Sequence, residues 1–347
     1  MSDTRTLSRA GGLARFKGAN NEGVLALVLV VLIIGMTIIS PSFFSVGTFF
    51  AILRSSIVPL VFALAVLIVI ISGGIDVSFA AIAIFAAYTA VKLTGSGNFD
   101  PGLIAIVLFA CLIGALLGLV NGAVIARFRL STLIVTLGTQ GIFRGLLVAY
   151  IGSRYIADLP GSMSAVSTSN LISLEGGGAN AYLHVLVVPV VLLCVLVALM
   201  LRKTMFGRGI YALGGDMEAA RRAGFSVVRI QIALYVLAGV LAALAGVFHV
   251  ILGRNANPQD LVGTELDIIA AVVLGGASIF GGRGSVLGTV LGVLLVQLIN
   301  NSLILVGVPT AWQRTAVGVL LVIGVGIQAI SAKRESKRVL VNDEVKE

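Results

Sequence analysis

Ten stretches of about 15 to 25 residues run through this chain with almost no charge, and nothing else limits its fold so strongly. A helix of that length reaches across the ~30 Å hydrocarbon core of a bilayer, where each backbone N–H and C=O must be satisfied within the segment itself. Of the 347 residues, 58% are hydrophobic and 11% charged. An ordinary soluble domain is about a quarter charged, so a soluble enzyme is excluded. The 42 glycines lie inside the apolar runs, which points to closely packed helices. The formal charge of +9 comes from basic residues between those runs, where they orient a membrane chain; nucleic acid is not an implied partner. Cys111 and Cys194 sit in separate apolar runs with no ligand-spaced neighbour, so neither a disulfide nor a metal site is indicated.

The spacing predicts an all-α, polytopic integral membrane protein with spans at 23–40, 57–72, 75–93, 102–126, 131–151, 183–201, 230–251, 266–280, 285–308 and 312–331. The first follows Arg5, Arg9, Arg15 and Lys17 but ends in no small-residue cleavage site, so it reads as a retained span. The runs at 57–72 and 266–280 are short and end near Gly73-Gly74, Gly275-Gly276 and Gly281-Gly282, which fits broken or tilted helices. With both termini inside, 18 basic residues fall on the inner segments and six elsewhere, so the chain reads N-in, C-in. The implied organisation is a cytoplasmic tail (1–22), a transmembrane domain (23–331) and a second cytoplasmic tail (332–347). The domain includes an outer loop at 152–182 and an inner loop at 202–229, both long enough to be contact surfaces.

No phosphate-cradling G-x-x-x-x-G-K-[ST] loop occurs, so ATP and Mg²⁺ are not bound by this chain itself. No nucleophile with base and orienter, and no H-E-x-x-H pair, is present; His184 and His249 stand alone near span ends. No catalytic residue, metal ligand or cofactor is therefore assigned. The inner loop is more specific. Asp216 is placed to cap free N–H groups, Glu218 lies in the first turn, Ala219 and Ala220 favour helix, Arg221 and Arg222 close the last turn, and Gly224 suits a left-handed stop. A two-turn helix is too short to stand alone and must rest on the membrane domain or on a partner.

Polar side chains at membrane depth are costly unless paired or wetted, which makes Asp76, Asn121, Gln140, Arg144, Asp267, Gln297, Asn300 and Asn301 candidates for a translocation path. Each has an alternative. Asp76 and Asp267 equally suit helix caps, Arg144 can snorkel, pair with a carboxylate or meet a polyol, and the amides equally suit interhelical hydrogen bonds. Glycines at four-residue spacing (Gly114, Gly118, Gly122; Gly141, Gly145; Gly284, Gly288, Gly292) predict helix faces that pack closely.

The stretch from Phe206 to Gly224, F-G-R-G-I-Y-A-L-G-G-D-M-E-A-A-R-R-A-G, occurs with I-S-G-G-I-D-V-S at Ile71–Ser78 and E-L-D-I-I-A-A-V-V-L-G-G-A-S at Glu265–Ser278. With G-G-R-G-S-V-L-G-T at Gly281–Thr289, and N-G-A-V-I-A followed by T-L-G-T and Arg144-Gly145, the chain resembles the membrane permease subunits of bacterial ATP-binding-cassette importers for monosaccharides, the ribose, xylose and arabinose type. The resemblance spans nearly all of residues 23–331. It implies that Asp216–Gly224 is a coupling helix docking into a cytoplasmic ATPase subunit that binds ATP and Mg²⁺. It further implies a periplasmic solute-binding protein, a second permease chain forming a dimer, and passage of a sugar between the two chains in the inner membrane. At Ser131-Thr132 the family more often has a Pro-Phe pair, which leaves that turn and the sugar preference open. The competing readings are a related permease for a branched-chain amino acid or nucleoside, and an ion-coupled secondary transporter. The second calls for buried ion-binding carboxylates and no docking helix.

Overall fold

The computed structural model describes residues 22–95, 100–174 and 180–309, with positions 312, 315, 318, 319 and 322 beyond them. The two tails and most of the expected span 312–331 lie outside the described residues. The helices are α1 (Glu22–Ile39), α2 (Val46–Ile71), α3 (Phe79–Gly95), α4 (Leu103–Phe128), α5 (Thr132–Leu146), α6 (Gly161–Ser167), α7 (Val187–Lys203), α8 (Met205–Gly215), α9 (Met217–Arg222), α10 (Val227–Gly253), α11 (Glu265–Leu274) and α12 (Val286–Leu305). Strands β1 (Asn170–Leu174) and β2 (Ala181–His184) form an antiparallel hairpin that begins in the loop expected at 152–182 and takes the first two residues of the span expected at 183–201.

Six helices among the described residues are long and apolar enough to cross a membrane: α1, α2, α4, α5 extended by the π-turn Leu147–Ile151, α10 and α12. The pair α7–α8 makes a seventh if it counts as one span, although it bends by 72°. Of the remaining expected spans, α3 has 17 residues. Helix α11 has ten, about 15 Å of rise and half of a bilayer core, because Gly275 and Gly276 end it where the sequence run continued to 280. Helix α2 starts eleven residues before the expected 57, since Arg54, Ser55 and Ser56 interrupt the apolar run without interrupting the helix. The inner loop 202–229 is mostly helical. Its glycines Gly207, Gly209, Gly214 and Gly215 lie inside α8, where tertiary packing overrides their low helix propensity.

Helix α2 is the axis of the molecule. From Val61 to Ile71 every side chain is buried, so its C-terminal half is apolar all round, as a helix enclosed by other helices must be. Around it stand α3, α10 and α12, and α4 lies against the outer side of α10. The α4–α10 contact is made of backbone. A Cβ on Gly114 would overlap the Gly239 carbonyl oxygen, and one on Gly239 would overlap that of Gly114. Gly288 and Gly292 meet α11 in the same way at Gly275 and Ala271. By contrast, Gly141 and Gly145 on α5 meet nothing within 4 Å among the described residues.

Candidate translocation site

At the end of α2 remote from α9, a cavity of about 570 Å³ opens between the first half of α2, the end of α10, the half-helix α11 and the second half of α12. Small-solute pockets occupy about 300–1,000 Å³. Its floor is apolar, formed by Val58, Phe62, Ile268, Val293 and Val296, while Arg54, Ser55, His249, Thr264, Asp267, Gln297 and Asn300 bring polar groups to it. Pro59 also lines it, and a proline offers no N–H to the Ser55 carbonyl one turn back. Among the described residues the buried Asn300 Oδ1 has no hydrogen-bond partner, so an acceptor faces the cavity. Asp267, Gln297 and Asn300, three of the residues expected on a path, are thus brought together. Asn301 lies one position on. Its Nδ2 donates to Ser55 Oγ at 3.1 Å and to the Gln297 carbonyl at 2.8 Å, linking α12 to α2 beside the cavity.

Gln140 and Arg144 are drawn elsewhere. Gln140 Nε2 donates to Glu265 Oε1 at 2.7 Å, and Arg144 pairs with the same oxygen at 3.2 Å while reaching the Leu261 carbonyl. The Glu265 side chain is 8% exposed and that of Arg144 21%, so this charge pair is largely withdrawn from solvent. Of the alternatives open for Arg144, the geometry takes the carboxylate. Asp76 and Asn121 form a third group. Asp76 Oδ1 accepts from the N–H and hydroxyl of Ser78, both at 2.7 Å, and Asn121 Nδ2 donates to Ser78 Oγ at 2.8 Å. Both are buried at the start of α3, where they tie α3 to α4. Arg54, Ser55, Thr264, His249 and Glu265 escaped sequence reasoning. Arg54 counted only toward orientation, and no spacing rule joins a residue on α2 to one 210 positions later.

At the other end of the molecule Asp216 caps α9, its Oδ1 accepting from the N–H groups of Glu218 (2.9 Å) and Ala219 (3.0 Å). Ala220 is buried against Leu213 and Val227, while Glu218, Ala219, Arg221 and Arg222 are exposed, and Gly224 takes a left-handed φ of 88°. Glu218 and Arg221 pair at 2.9 Å across one turn. The helix therefore presents a charged face and rests on one small side chain. Those two N–H bonds hold the Asp216 carboxyl below its ordinary 3.8. A depressed folded value means that the cap stabilises α9 above about pH 3.8 and is lost as pH falls through the lower, folded value. Amide hydrogen exchange at Glu218 and Ala219 is accordingly expected to accelerate at that acid end in the native chain. In Asp216→Ala it is fast throughout, with no such acid step.

The segment bearing α9 is fixed to the core by close backbone contacts that glycines make. Gly282 N–H donates to the Ile71 carbonyl at 2.8 Å, a Cβ on Gly214 would overlap that same carbonyl, and Gly281, at φ 87°, faces Gly73 and Gly214 backbone. The end of α2, the end of α8 and the loop before α12 are thereby locked together.

A bundle of membrane-crossing helices with a polar cavity at one end and an exposed, rigidly mounted helix at the other is a transport permease. The chain belongs to the family described as the permease component of the branched-chain amino acid transport system, which matches residues 48–325. It is a transport component of the inner membrane rather than an enzyme. Curated relatives include the autoinducer 2 import system permease protein LsrC of Yersinia pseudotuberculosis (strain IP 31758), 34% identical over 310 residues, which cover 89% of this chain and 85% of the relative. LsrC of Yersinia pestis (strain Pestoides F) is similar to the same extent. No solved structure matches.

Proposed function

We propose that this chain is the membrane subunit of an ATP-driven importer for a monosaccharide or related polyol, working as a homodimer by alternating access. In this reading it has ten spans, both termini are cytoplasmic, and α9 is the coupling helix, with Asp216, Glu218, Ala219, Ala220, Arg221, Arg222 and Gly224 forming the face for an ATP-binding-cassette ATPase. That partner binds ATP and Mg²⁺, and a periplasmic solute-binding protein delivers the solute to the opposite end. The observation that carries the reading is the capped, exposed α9, locked through Gly214 to the end of α2. A secondary transporter has no use for such a mount. The relatives named as autoinducer 2 import system permeases support an import role.

The solute passes the cavity of Asp267, Gln297 and Asn300, where uncharged amides and an apolar floor suit a neutral ring with hydroxyls around it. Gln297→Ala and Asn300→Ala are expected to raise the KM for uptake about tenfold each, a good part of one or two hydrogen bonds, with abundance unchanged. A branched-chain amino acid is the second reading, favoured by Arg54 at the cavity, a basic group that suits a carboxylate. Purification of the chain in mild detergent from its own membrane tests the whole proposal. A soluble ATPase subunit should accompany it, and radiolabelled uptake should be competed by pentoses and not by leucine. Recovery without an ATPase, or competition by leucine alone, contradicts it.

A further inference from the structure

We infer that residues 254–264, with the first turn of α11, form a gate over the cavity at the end remote from α9, latched by Glu265 and Asp260. The inference rests on the reading of that cavity as part of the solute path. The segment joins the end of α10 to the start of α11 and borders the cavity through Leu261 and Thr264. Both its ends are conformationally loaded. Arg254 (φ 54°) and Leu261 (φ 63°) occupy the left-handed region that side chains rarely adopt, with Gly263 (φ 81°) two residues on. A bulky leucine held there signals a backbone conformation imposed by its surroundings, and the surroundings are three separable attachments.

Asp260 accepts from Asn257 Nδ2 at 3.0 Å and lies 3.1 Å from His249 Nε2, which anchors the middle of the segment to α10. Ala256 exchanges two backbone hydrogen bonds with Ile156, at 3.0 and 2.9 Å. Glu265 is held from α5 by Gln140 and Arg144, and Arg144 also reaches the Leu261 carbonyl at 3.5 Å. None of these bonds belongs to a helix interior, so all can break while every span stays folded. Release of Glu265 frees the first turn of α11, which carries Thr264 and Asp267 at the cavity wall. Gln140 and Arg144 are thus positioning residues that hold the wall through Glu265 and touch no solute.

The test uses the assembled transporter in lipid nanodiscs, without solute or ATP, so that the outcome is independent of what is carried. Asn300→Cys, in a chain with Cys111→Ala and Cys194→Ala, reports access to the cavity through its rate of reaction with a charged maleimide. Glu265→Gln is expected to raise that rate about tenfold, as a two-state opening biased by loss of an ion pair should. Asp260→Ala is expected to act in the same direction, and the reversed pair Arg144→Glu with Glu265→Arg is expected to bring the rate back down. Leu67→Cys, fully buried in the other half of α2, must stay unreactive throughout. Unchanged labelling of Asn300→Cys in both latch variants overturns the gate. So does labelling of Leu67→Cys together with it, which would mean that the whole bundle had loosened.

Discussion

Gly239→Leu is expected to remove most of the folded chain from the membrane, and Gly141→Leu is expected to leave it in place. Both are glycines in apolar helices, and only their surroundings differ. A side chain at 239 collides with the carbonyl of Gly114 and with the backbone at Gly118, and α4 offers no flexible side chain there that could move aside. The helices must separate along their whole contact. Overpacking of a tight core costs about 1–3 kcal/mol and occasionally more, against a total stability of about 5–15. The lost backbone approach adds to this, since dispersion between close helices is what lipid cannot replace. At 141 nothing lies within 4 Å. There the exchange of glycine for leucine gains up to about 1 kcal/mol of helix propensity. Thermal unfolding of the two purified variants, followed by size-exclusion retention, separates them: the account requires a large fall for the first and little or none for the second.

Reversal of the charges on α9, Glu218→Arg with Arg221→Glu, is expected to cut solute uptake at least tenfold while abundance and melting temperature stay near wild type. The swap preserves the one-turn ion pair, which at 67% and 44% side-chain exposure contributes little to stability in either polarity. What changes is the face offered to a partner, where charges placed against the wrong sign are costly. The loss therefore falls on association and not on folding, and a shortfall of about 1.4 kcal/mol is already tenfold in binding. Asp216→Ala is expected to weaken the same association more mildly, because it frays the helix without altering the face. A normal rate of uptake in the charge-reversed chain would remove α9 from the coupling role.

Hydropathy made the membrane class legible, since period and length alone identify an apolar segment as a span. The short helix α9 was equally legible, because Asp216, Ala219, Arg221 and Gly224 each carry a local rule of capping, propensity or left-handed stop, and α9 obeys all of them. Other features were legible only in part. The break of the run 266–280 at Gly275-Gly276 was readable, but the contact of Gly275 with Gly288 on α12, 13 positions away, was not. The glycines of α8 read as a loop, yet their lack of side chains is what lets Gly214 rest on Ile71. The polar residues at membrane depth were singled out individually, but their grouping was not legible. Asp267, Gln297 and Asn300 share a cavity, Gln140 and Arg144 share Glu265, and Asp76 and Asn121 share Ser78. Partner choice among buried polar groups depends on which helices are neighbours, and a single sequence leaves that open.

The central claim is that this chain moves solute with energy taken from ATP through α9. The most direct measurement is uptake of a labelled pentose into vesicles that hold the purified transporter with its ATPase and binding protein, compared with and without ATP, and with all ion gradients collapsed. The account predicts uptake that needs ATP, survives collapse of the gradients and disappears in the chain with Glu218→Arg and Arg221→Glu. Uptake that persists without ATP and stops when the gradients are collapsed would contradict it.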